Sequence, residues 1–312
     1  LRRSRGLGDV YKRQAIISAA ELSGADAIYP GFGFLAENAS FAEKCRESGF
    51  KFIGPDPEVI AIMGDKIKAK ELAKSLNIPV VPGYEGEIST ENEAIKIVEE
   101  IGYPVIIKAS AGGGGRGMRV VNSSDELWQS IQSAQNEAEL AFGDGKIFIE
   151  KYLKKPRHIE VQIFGNGEGE AVHLFTRDCS LQRKYQKIVE EAPALNIDNQ
   201  KLEEIQNLSV EACKKINYEG AGTIEFLYEN NDFYFIEMNT RIQVEHTVTE
   251  MITGVDLVQA QLLLALENKY DFKQEDLKVN GHAMQCRINA EDPETFVPSP
   301  GRIERVHRPG GY

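Results

Sequence analysis

Between Glu237 and Glu245 the chain reads Glu-Met-Asn-Thr-Arg-Ile-Gln-Val-Glu, with polar groups at every odd position. Side chains on an extended strand alternate faces, so the spacing predicts that Glu237, Asn239, Arg241, Gln243 and Glu245 line one wall. Glu237 leaves an apolar run, Phe233 to Ile236. A carboxylate emerging from a buried strand is costly unless a cation accompanies it. Glu and Asn oxygens two residues apart suit a hard ion such as Mg²⁺. A second acid, Glu225, interrupts the strand-like Thr223 to Tyr228. In a hairpin, a two- or four-residue loop sets Glu225 opposite Ile236, on the wrong face. A three-residue loop, Asn230 to Asp232, sets it opposite Glu237. Two adjacent carboxylates repel unless a metal lies between them. The alternative, an ordinary half-exposed sheet face, fits poorly with apolar neighbours on both strands.

A second group follows the apolar run Val105-Ile106-Ile107-Lys108, which leads into Gly112-Gly113-Gly114-Gly115-Arg116-Gly117. Successive glycines let backbone N–H groups turn toward an anion, and Lys108 adds charge at the strand end. The chemistry expected is phosphate binding; a flexible linker is the alternative, but linkers rarely start on a tight apolar strand. The lysine precedes the glycines, so this is not a Walker A loop, nor does it open a helix as G-x-G-x-x-G does. A third segment, Arg177 to Lys187, is cation-dense in an acidic chain and alone reads equally as a solvated charge run. Arg287, His158 and Lys66 are single polar residues that by themselves read as surface or structural groups.

The elements that must position these groups alternate. A helix is expected over Ala15 to Ser23, a strand over Ala27 to Tyr29, a helix from Glu37 or Asn38 to Ser48, and a strand over Phe50 to Ile53. Strands alternating with helices imply a parallel sheet. Next come a helix from Asp65 to Leu76, a strand at Val80 to Pro82, and a helix from Thr90, where Glu93 completes a capping-box spacing. Val105 to Lys108, Phe148 to Tyr152 and His158 to Phe164 read as strands, with a helix from Ser124 to about Leu140. Ala171 to Thr176, Thr223 to Tyr228 and Phe233 to Met238 carry hairpin-type connections and suggest a second, antiparallel sheet. Helices are expected over Leu202 to Ile216 and Leu257 to Glu267. Strand-like segments follow at Ala283 to Cys286 and Arg302 to His307.

Composition bounds the rest. The 312 residues suggest about two domains, and 42% hydrophobic with 27% charged residues is a globular balance. The net charge of −12 argues against nucleic-acid or anionic-membrane partners, which need a basic surface. It leaves phosphate ligands open, since these need only local cations. Four scattered cysteines read as reduced thiols of a cytoplasmic protein. No apolar run approaches the roughly 18 residues of a membrane span. Residues 1–14 hold five cations and one acid and are set aside as a non-native or misassembled end.

Taken together and in order, PGFGFLAEN, FIGP, MGDK, GYPVIIKASAGGGGRGMRVV, PRHIE, RDCSLQRKYQK, EEAP, GTIEF, FIEMNTRIQVEH, TEMITGVDLV and CRINAEDP resemble biotin carboxylase, the ATP-grasp component of acetyl-CoA carboxylase and related enzymes. The resemblance runs from about Ala15 to Tyr312, and family chains extend further at both ends. It implies a fold that is α/β and α+β. A partial N-terminal Rossmann-like domain (15–64) precedes the start of an ATP-grasp core (65–81). A small lid (82–152), the core with its metal and bicarbonate sites (153–280) and the start of a C-terminal domain (281–312) follow, with a mixed or antiparallel C-terminal sheet.

The resemblance also implies roles. Lys66 and Lys108 resemble the nucleotide-phosphate lysines, and Gly112, Gly113, Gly114, Gly115 and Gly117 the lid loop. Glu150, Lys151 and Leu153 resemble the adenine hinge; His158 and Gln182 resemble nucleotide contacts. Glu225, Glu237 and Asn239 resemble the Mg²⁺ or Mn²⁺ ligands. Lys187, Arg241, Gln243, Val244 and Glu245 resemble the bicarbonate site, with Glu245 as general base and Arg287 stabilising the biotin enolate. Tyr185 stands where some members carry a nucleotide-contacting histidine, and Tyr29 and Phe32 replace a His and a Tyr. The implied reaction is ATP- and bicarbonate-dependent carboxylation of biotin on a biotin carboxyl carrier protein, a step of fatty acid biosynthesis in acetyl-CoA carboxylase. The implied partners are that carrier, carboxyltransferase subunits and a second copy in a homodimer. Another ATP-grasp carboxylate ligase, or a nucleotide-binding fragment without turnover, is the rival reading.

Overall fold

The computed structural model describes residues 7–33, 35–84, 86, 88–109, 118–142, 145–184, 186–307 and 310. The glycine run Gly112 to Gly117 and Tyr185 lie outside them. The first helix, α1 (Leu7–Ser23), begins earlier than expected. Residues 7–14 therefore continue a helix rather than standing apart, and Arg13 donates to Ser40 Oγ at 2.6 Å. Strand β1 (Ala27–Ile28) pairs in parallel with β2 (Lys51–Phe52), with α2 (Ala39–Glu47) between them. Asn38 caps α2 by accepting the Phe41 amide. Helix α3 (Pro57–Gly64), absent from the expected elements, starts on an Asp56 cap with proline in its first turn. Helix α4 (Lys66–Ser75) starts one residue after its cap, Asp65, which accepts from Ile67 and Lys68.

Two antiparallel sheets follow. The smaller comprises β3 (Gly83–Tyr84), β4 (Val105–Ala109), β5 (Arg119–Val121) and β6 (Ile147–Lys151), in the order β3-β6-β4-β5. Helices α5 (Glu91–Ile101) and α6 (Ser124–Phe142) cover it around Val98, Val105, Ile107, Leu127, Ile131 and Ile149. The strand expected at Val80 to Pro82 is only a single bridge, Val80 to Phe235; pairing with β6 begins at Gly83.

The larger sheet comprises β7 (Arg157–Asn166), β8 (Ala171–Arg183), β9 (Gln186–Ala192), β10 (Glu219–Glu229), β11 (Asp232–Asn239) and β12 (Ala283–Cys286). Its order is β11-β10-β7-β8-β9-β12. The cation-dense Arg177–Lys187 segment is thus no solvated run. It completes β8 and, through a hairpin, starts β9. Its start is buried, Arg177 wholly and Asp178 nearly so, while Gln182, Arg183 and Lys187 are half-buried and Ser180, Lys184 and Gln186 are exposed. Helices α7 (Asn199–Lys215), α8 (His246–Thr253) and α9 (Leu257–Glu267) complete the chain, and a core led by Ile159, Val161, Ile224, Phe226 and Phe235 lies under the sheet. Arg302–His307 is not a strand, because no neighbour pairs with it among the described residues. Among the described residues no single helix is long and apolar enough to cross a membrane.

The β10–β11 hairpin settles the register by an unexpected route. Glu229 pairs with Asp232 across a two-residue loop, and Asn230 and Asn231 both take positive φ, as a type I′ turn requires. That loop alone would set Glu225 against Ile236. A bulge between Glu225 and Phe226 shifts the register, so Glu225 faces Glu237 after all. The extended wall expected from Glu237 to Glu245 ends at Asn239, where β11 stops and the chain turns toward α8.

One buried cation ties these pieces together. Arg177, on β8, donates to Glu160 Oε2 on β7 at 2.9 Å and to Thr223 on β10 at 2.9 Å. It also reaches Thr249 on α8 at 3.0 Å, Gln243 at 2.6 Å, and Gln162. Removing one partner of a buried pair strands the other charge, at a cost of about 3–5 kcal/mol. Arg177→Met is therefore expected to lower the unfolding free energy by that order. Glu160→Gln in the same chain should recover part of the loss. Denaturant titrations of the wild type, both single variants and the double variant measure this, and additive losses would contradict the coupling.

Candidate active site

A cavity of about 1170 Å³ is lined by residues of both sheets. Lys66 and Lys70 of α4, Lys108 of β4, and Glu150, Lys151 and Leu153 in and just after β6 line it. From the large sheet come His158, Gln182, Lys187, Glu225, Glu237 and Asn239, joined by Arg241, Gln243, Val244, Glu245 and Arg287. Every site residue named from the sequence that is described in the structure therefore faces one space. Although β11 ends early, the turn after it keeps Arg241, Gln243 and Glu245 on the cavity side. The five glycines expected to form a lid loop, Gly112 to Gly115 and Gly117, lie outside the described residues.

The floor concentrates negative charge out of water. Glu160 is fully buried, Glu245 is 2% exposed and Glu225 is 5% exposed. Lys187 Nζ sits among all three, 2.6 Å from Glu245 Oε1, 2.9 Å from Glu225 Oε1, and in contact with Glu160 Oε1. Burial alone would lower the Lys187 pKa; the three acids outweigh it and hold the ammonium protonated. Burial likewise pushes Glu160 upward, but Arg177, His158 and Lys187 hold its carboxyl well below the usual range. His158 Nε2 lies 3.0 Å from Glu225 and 3.3 Å from Glu160. Burial opposes its charge, yet the two carboxylates raise its pKa to about 9. Its other ring nitrogen contacts the Gln182 amide at 3.2 Å.

Glu245 is held from two sides. Lys187 grips one oxygen, and Arg287 Nη2 donates to the other at 2.9 Å. Arg287 Nε also donates to Glu190 at 2.6 Å, so its planar group spans two acids. Glu190 itself is pushed upward by burial despite that arginine. The Arg241 Nε donates to Glu37 at 2.9 Å and its Nη2 to Asn239 Oδ1 at 2.9 Å, so a residue of the N-terminal unit aims this guanidinium.

The metal-candidate acids fit a cation. Glu225 and Glu237 are cross-strand partners. Glu225 accepts from the Asn239 and Gln243 amides at 2.8 Å each. Burial and the Glu160 charge would raise its pKa, but His158 and Lys187 hold it low. Glu237 has no hydrogen-bond or ion-pair partner among the described residues. Burial first, and the Glu225 charge second, push its pKa up. Lys66 and His158 offset that push only in part, and a half-buried carboxylate beside another is what a divalent ion would relieve. Toward the small sheet, Glu150 accepts from Lys70 at 2.7 Å and Lys108 at 2.6 Å. Burial would raise its pKa, and the two lysines lower it instead. Lys151 donates instead to the Gly102 and Tyr103 carbonyls, both at 2.9 Å.

Sequence reasoning missed Glu160, Arg177, Glu190, Glu37 and Lys70. Glu160 and Arg177 stood inside the PRHIE and RDC motifs. An acid at the even spacing of an apolar strand, opposite an arginine in the next strand, was the available signal. Glu37 and Lys70 carried none, because their partners are distant in sequence.

The family described as carbamoyl-phosphate synthase L chain, ATP binding domain, matches residues 65–273, and that described as biotin carboxylase, N-terminal domain, matches residues 7–60. The biotin carboxylase of Haemophilus influenzae is 58% identical over 95% of this chain and 66% of its own length. A biotin carboxylase domain of a thermophilic 2-oxoglutarate carboxylase, solved bound to bicarbonate, is 48% identical with a TM-score of 0.90, over 96% of this chain and 67% of that one. The biotin carboxylase of Campylobacter jejuni, solved in complex with β-γ-ATP, is 49% identical with a TM-score of 0.85, over 99% and 69%. This chain thus spans 66% of the length of the Haemophilus relative. Its fold is the ATP-grasp fold of those structures, and the chain belongs to the biotin carboxylase family.

Proposed function

We propose that the protein carries out the ATP- and bicarbonate-dependent carboxylation of biotin held on a carrier protein, as a ligase. The observation that carries this reading is Glu245, a buried carboxylate gripped by Lys187 and Arg287 in the cavity that also holds the lysines and the paired acids. Bicarbonate is a poor electrophile and must be activated. Glu245 takes its proton, and the freed oxygen attacks the γ-phosphorus of ATP, releasing ADP and leaving carboxyphosphate. Lys66 and Lys108 neutralise the phosphate charge, the main protein contribution to such a transfer. Glu225, Glu237 and Asn239 would hold Mg²⁺ or Mn²⁺, which supplies further charge neutralisation on the phosphates. Glu150, Lys151, Leu153, His158 and Gln182 are assigned to the nucleotide, and Arg241, Gln243 and Val244 to bicarbonate. The segment from residue 82 to 152 is assigned the lid, which excludes water that would hydrolyse carboxyphosphate.

Carboxyphosphate then divides into CO₂ and phosphate. The phosphate removes the N1 proton of biotin, Arg287 stabilises the negative oxygen of the resulting enolate, and N1 attacks CO₂. The carrier protein, carboxyltransferase subunits and a homodimer in the cytoplasm complete the reading; relatives in a pyruvate carboxylase and a 2-oxoglutarate carboxylase leave several acyl or oxo-acid systems equally compatible.

Two experiments test the assignments. Glu237→Gln should raise the Mg²⁺ concentration needed for half-maximal ATP cleavage and reduce turnover while the fold persists; an unchanged Mg²⁺ titration would remove Glu237 from the metal site. Glu245→Ala should abolish bicarbonate-dependent ADP formation and carboxybiotin together, since carboxyphosphate never forms. Arg287→Ala should lower carboxybiotin by about 10²-fold or more, the usual cost of removing one donor aimed at developing charge. ADP should fall by a smaller factor, because Lys187 still holds Glu245. Both products are counted in one free-biotin assay, and a proportional loss of both in Arg287→Ala would show that the arginine serves the first step alone.

A further inference from the structure

Arg183 closes β8, next to Gln182 in the cavity wall. Across from it the chain leaves β12 at Cys286, passes Arg287 and Asn289 in the same wall, and folds back on itself. That fold-back is local. Asp292 accepts from the Glu294 and Thr295 amides, its own amide reaches the Val297 carbonyl, and the Ser299 amide returns to Ala290. Yet residues 288–307 lie open to solvent, Glu291 being the exception.

Glu291 is covered because Arg183 grips it. Nη1 donates to Oε1 at 2.8 Å and Nη2 to Oε2 at 2.6 Å, a parallel two-point pair. The same guanidinium lies over the Phe296 ring, 4.4 Å from its centre. A single exposed ion pair contributes little, but a fork held on both oxygens with an aromatic ring on its face has one geometry. No other side chain of the large sheet is bonded to residues 288–299 among the described residues. The Arg287 amide is fixed on Ile188, while the loop beyond it has this clamp as its tie to the β8–β9 hairpin.

We propose that Arg183, through Glu291 and Phe296, is a positioning residue that sets the Arg287–Asn289 edge of the cavity against the hairpin carrying Gln182 and Lys187. It touches no reacting atom. Its effect is on where Arg287 stands when biotin is carboxylated, so the functional part rests on the reading above. A misplacement of about 1 Å in a group acting on the reacting centre costs up to about 10²-fold in rate. ATP cleavage depends on Glu245, which keeps its Lys187 contact when the clamp is lost, so this step suffers less than the one that needs Arg287.

The test uses this chain with Arg183→Met, Glu291→Gln and the charge swap Arg183→Glu/Glu291→Arg. Amide exchange of residues 288–299 needs no turnover. It should quicken in both single variants and slow again in the swap; unchanged exchange in the single variants overturns the clamp. In the free-biotin assay, carboxybiotin formed per ADP should fall tenfold or more in the single variants at an unchanged KM for ATP. The swap should restore it. A ratio that stays at the wild-type value while exchange quickens overturns the positioning role and leaves Arg183 merely structural. If the wild-type chain makes ADP but no carboxybiotin, the biotin reading itself fails, and the exchange result still decides whether Arg183 holds the loop.

Discussion

The site depends on one ammonium placed among three buried carboxylates. Lys187 Nζ meets Glu160, Glu225 and Glu245 at once, and none of those acids is appreciably exposed. Three carboxylates that close would expel one another or take up protons if left alone. Lys187 cannot neutralise three charges, so the remainder falls to Arg177 on Glu160, to His158 between Glu160 and Glu225, and to Arg287 on Glu245. Each cation comes from a different element or end of an element. The sheet order β10-β7-β8-β9 is what brings them to a common point, and the carboxylates in turn fix the rotamers of the cations.

Charge bookkeeping also separates the roles of the acids. Glu160 is saturated, with Arg177 on one oxygen and Lys187 and His158 on the other. Glu225 is saturated by amides and cations. Glu237, one step away across the hairpin, faces the cavity with no such partner among the described residues. The gradient from compensated floor to uncompensated rim is where an added cation gains most.

Much of this was legible in the sequence, for physical reasons that differ by residue. The polar alternation from Glu237 to Glu245 identified the cavity wall even though the backbone is extended only as far as Asn239, because the turn that follows preserves the facing. Helix α9 and strand β12 were expected with their observed ends, where Asp256 and the Ala283–Cys286 pattern give local signals. The opposition of Glu225 and Glu237 was foreseen through the wrong loop. Asn230-Asn231 makes a two-residue turn, and the compensating bulge has no local sequence signature. The segment from Arg177 to Lys187 reads equally as a solvated run on its own, and only the resemblance placed Gln182 and Lys187 at the site. Charge density predicts solvent exposure when its partners are unknown, and here the partners are acids in strands β7 and β10 and at the end of the turn before α8. Residues 1–14 were set aside on composition; of these, 7–14 continue helix α1, and residues 1–6 lie outside the described ones.

Such a floor is a poor way to gain stability. Well-packed apolar side chains of similar volume would hold β7, β8 and β10 together at least as well, since desolvation offsets most of what buried ion pairs contribute. What an apolar floor could not do is present one carboxylate, in one rotamer, between two fixed cations at the edge of a cavity. Glu245 needs Lys187 and Arg287 to be aimed, and Lys187 needs Glu160 and Glu225 to stay charged and in place. Glu160 in turn needs Arg177, the residue that spans β7, β8, β10 and α8. The chain of dependence runs from a structural arginine with no access to solvent to a carboxylate at the cavity, so the network that ties three strands to α8 also aims the acid that the cavity presents.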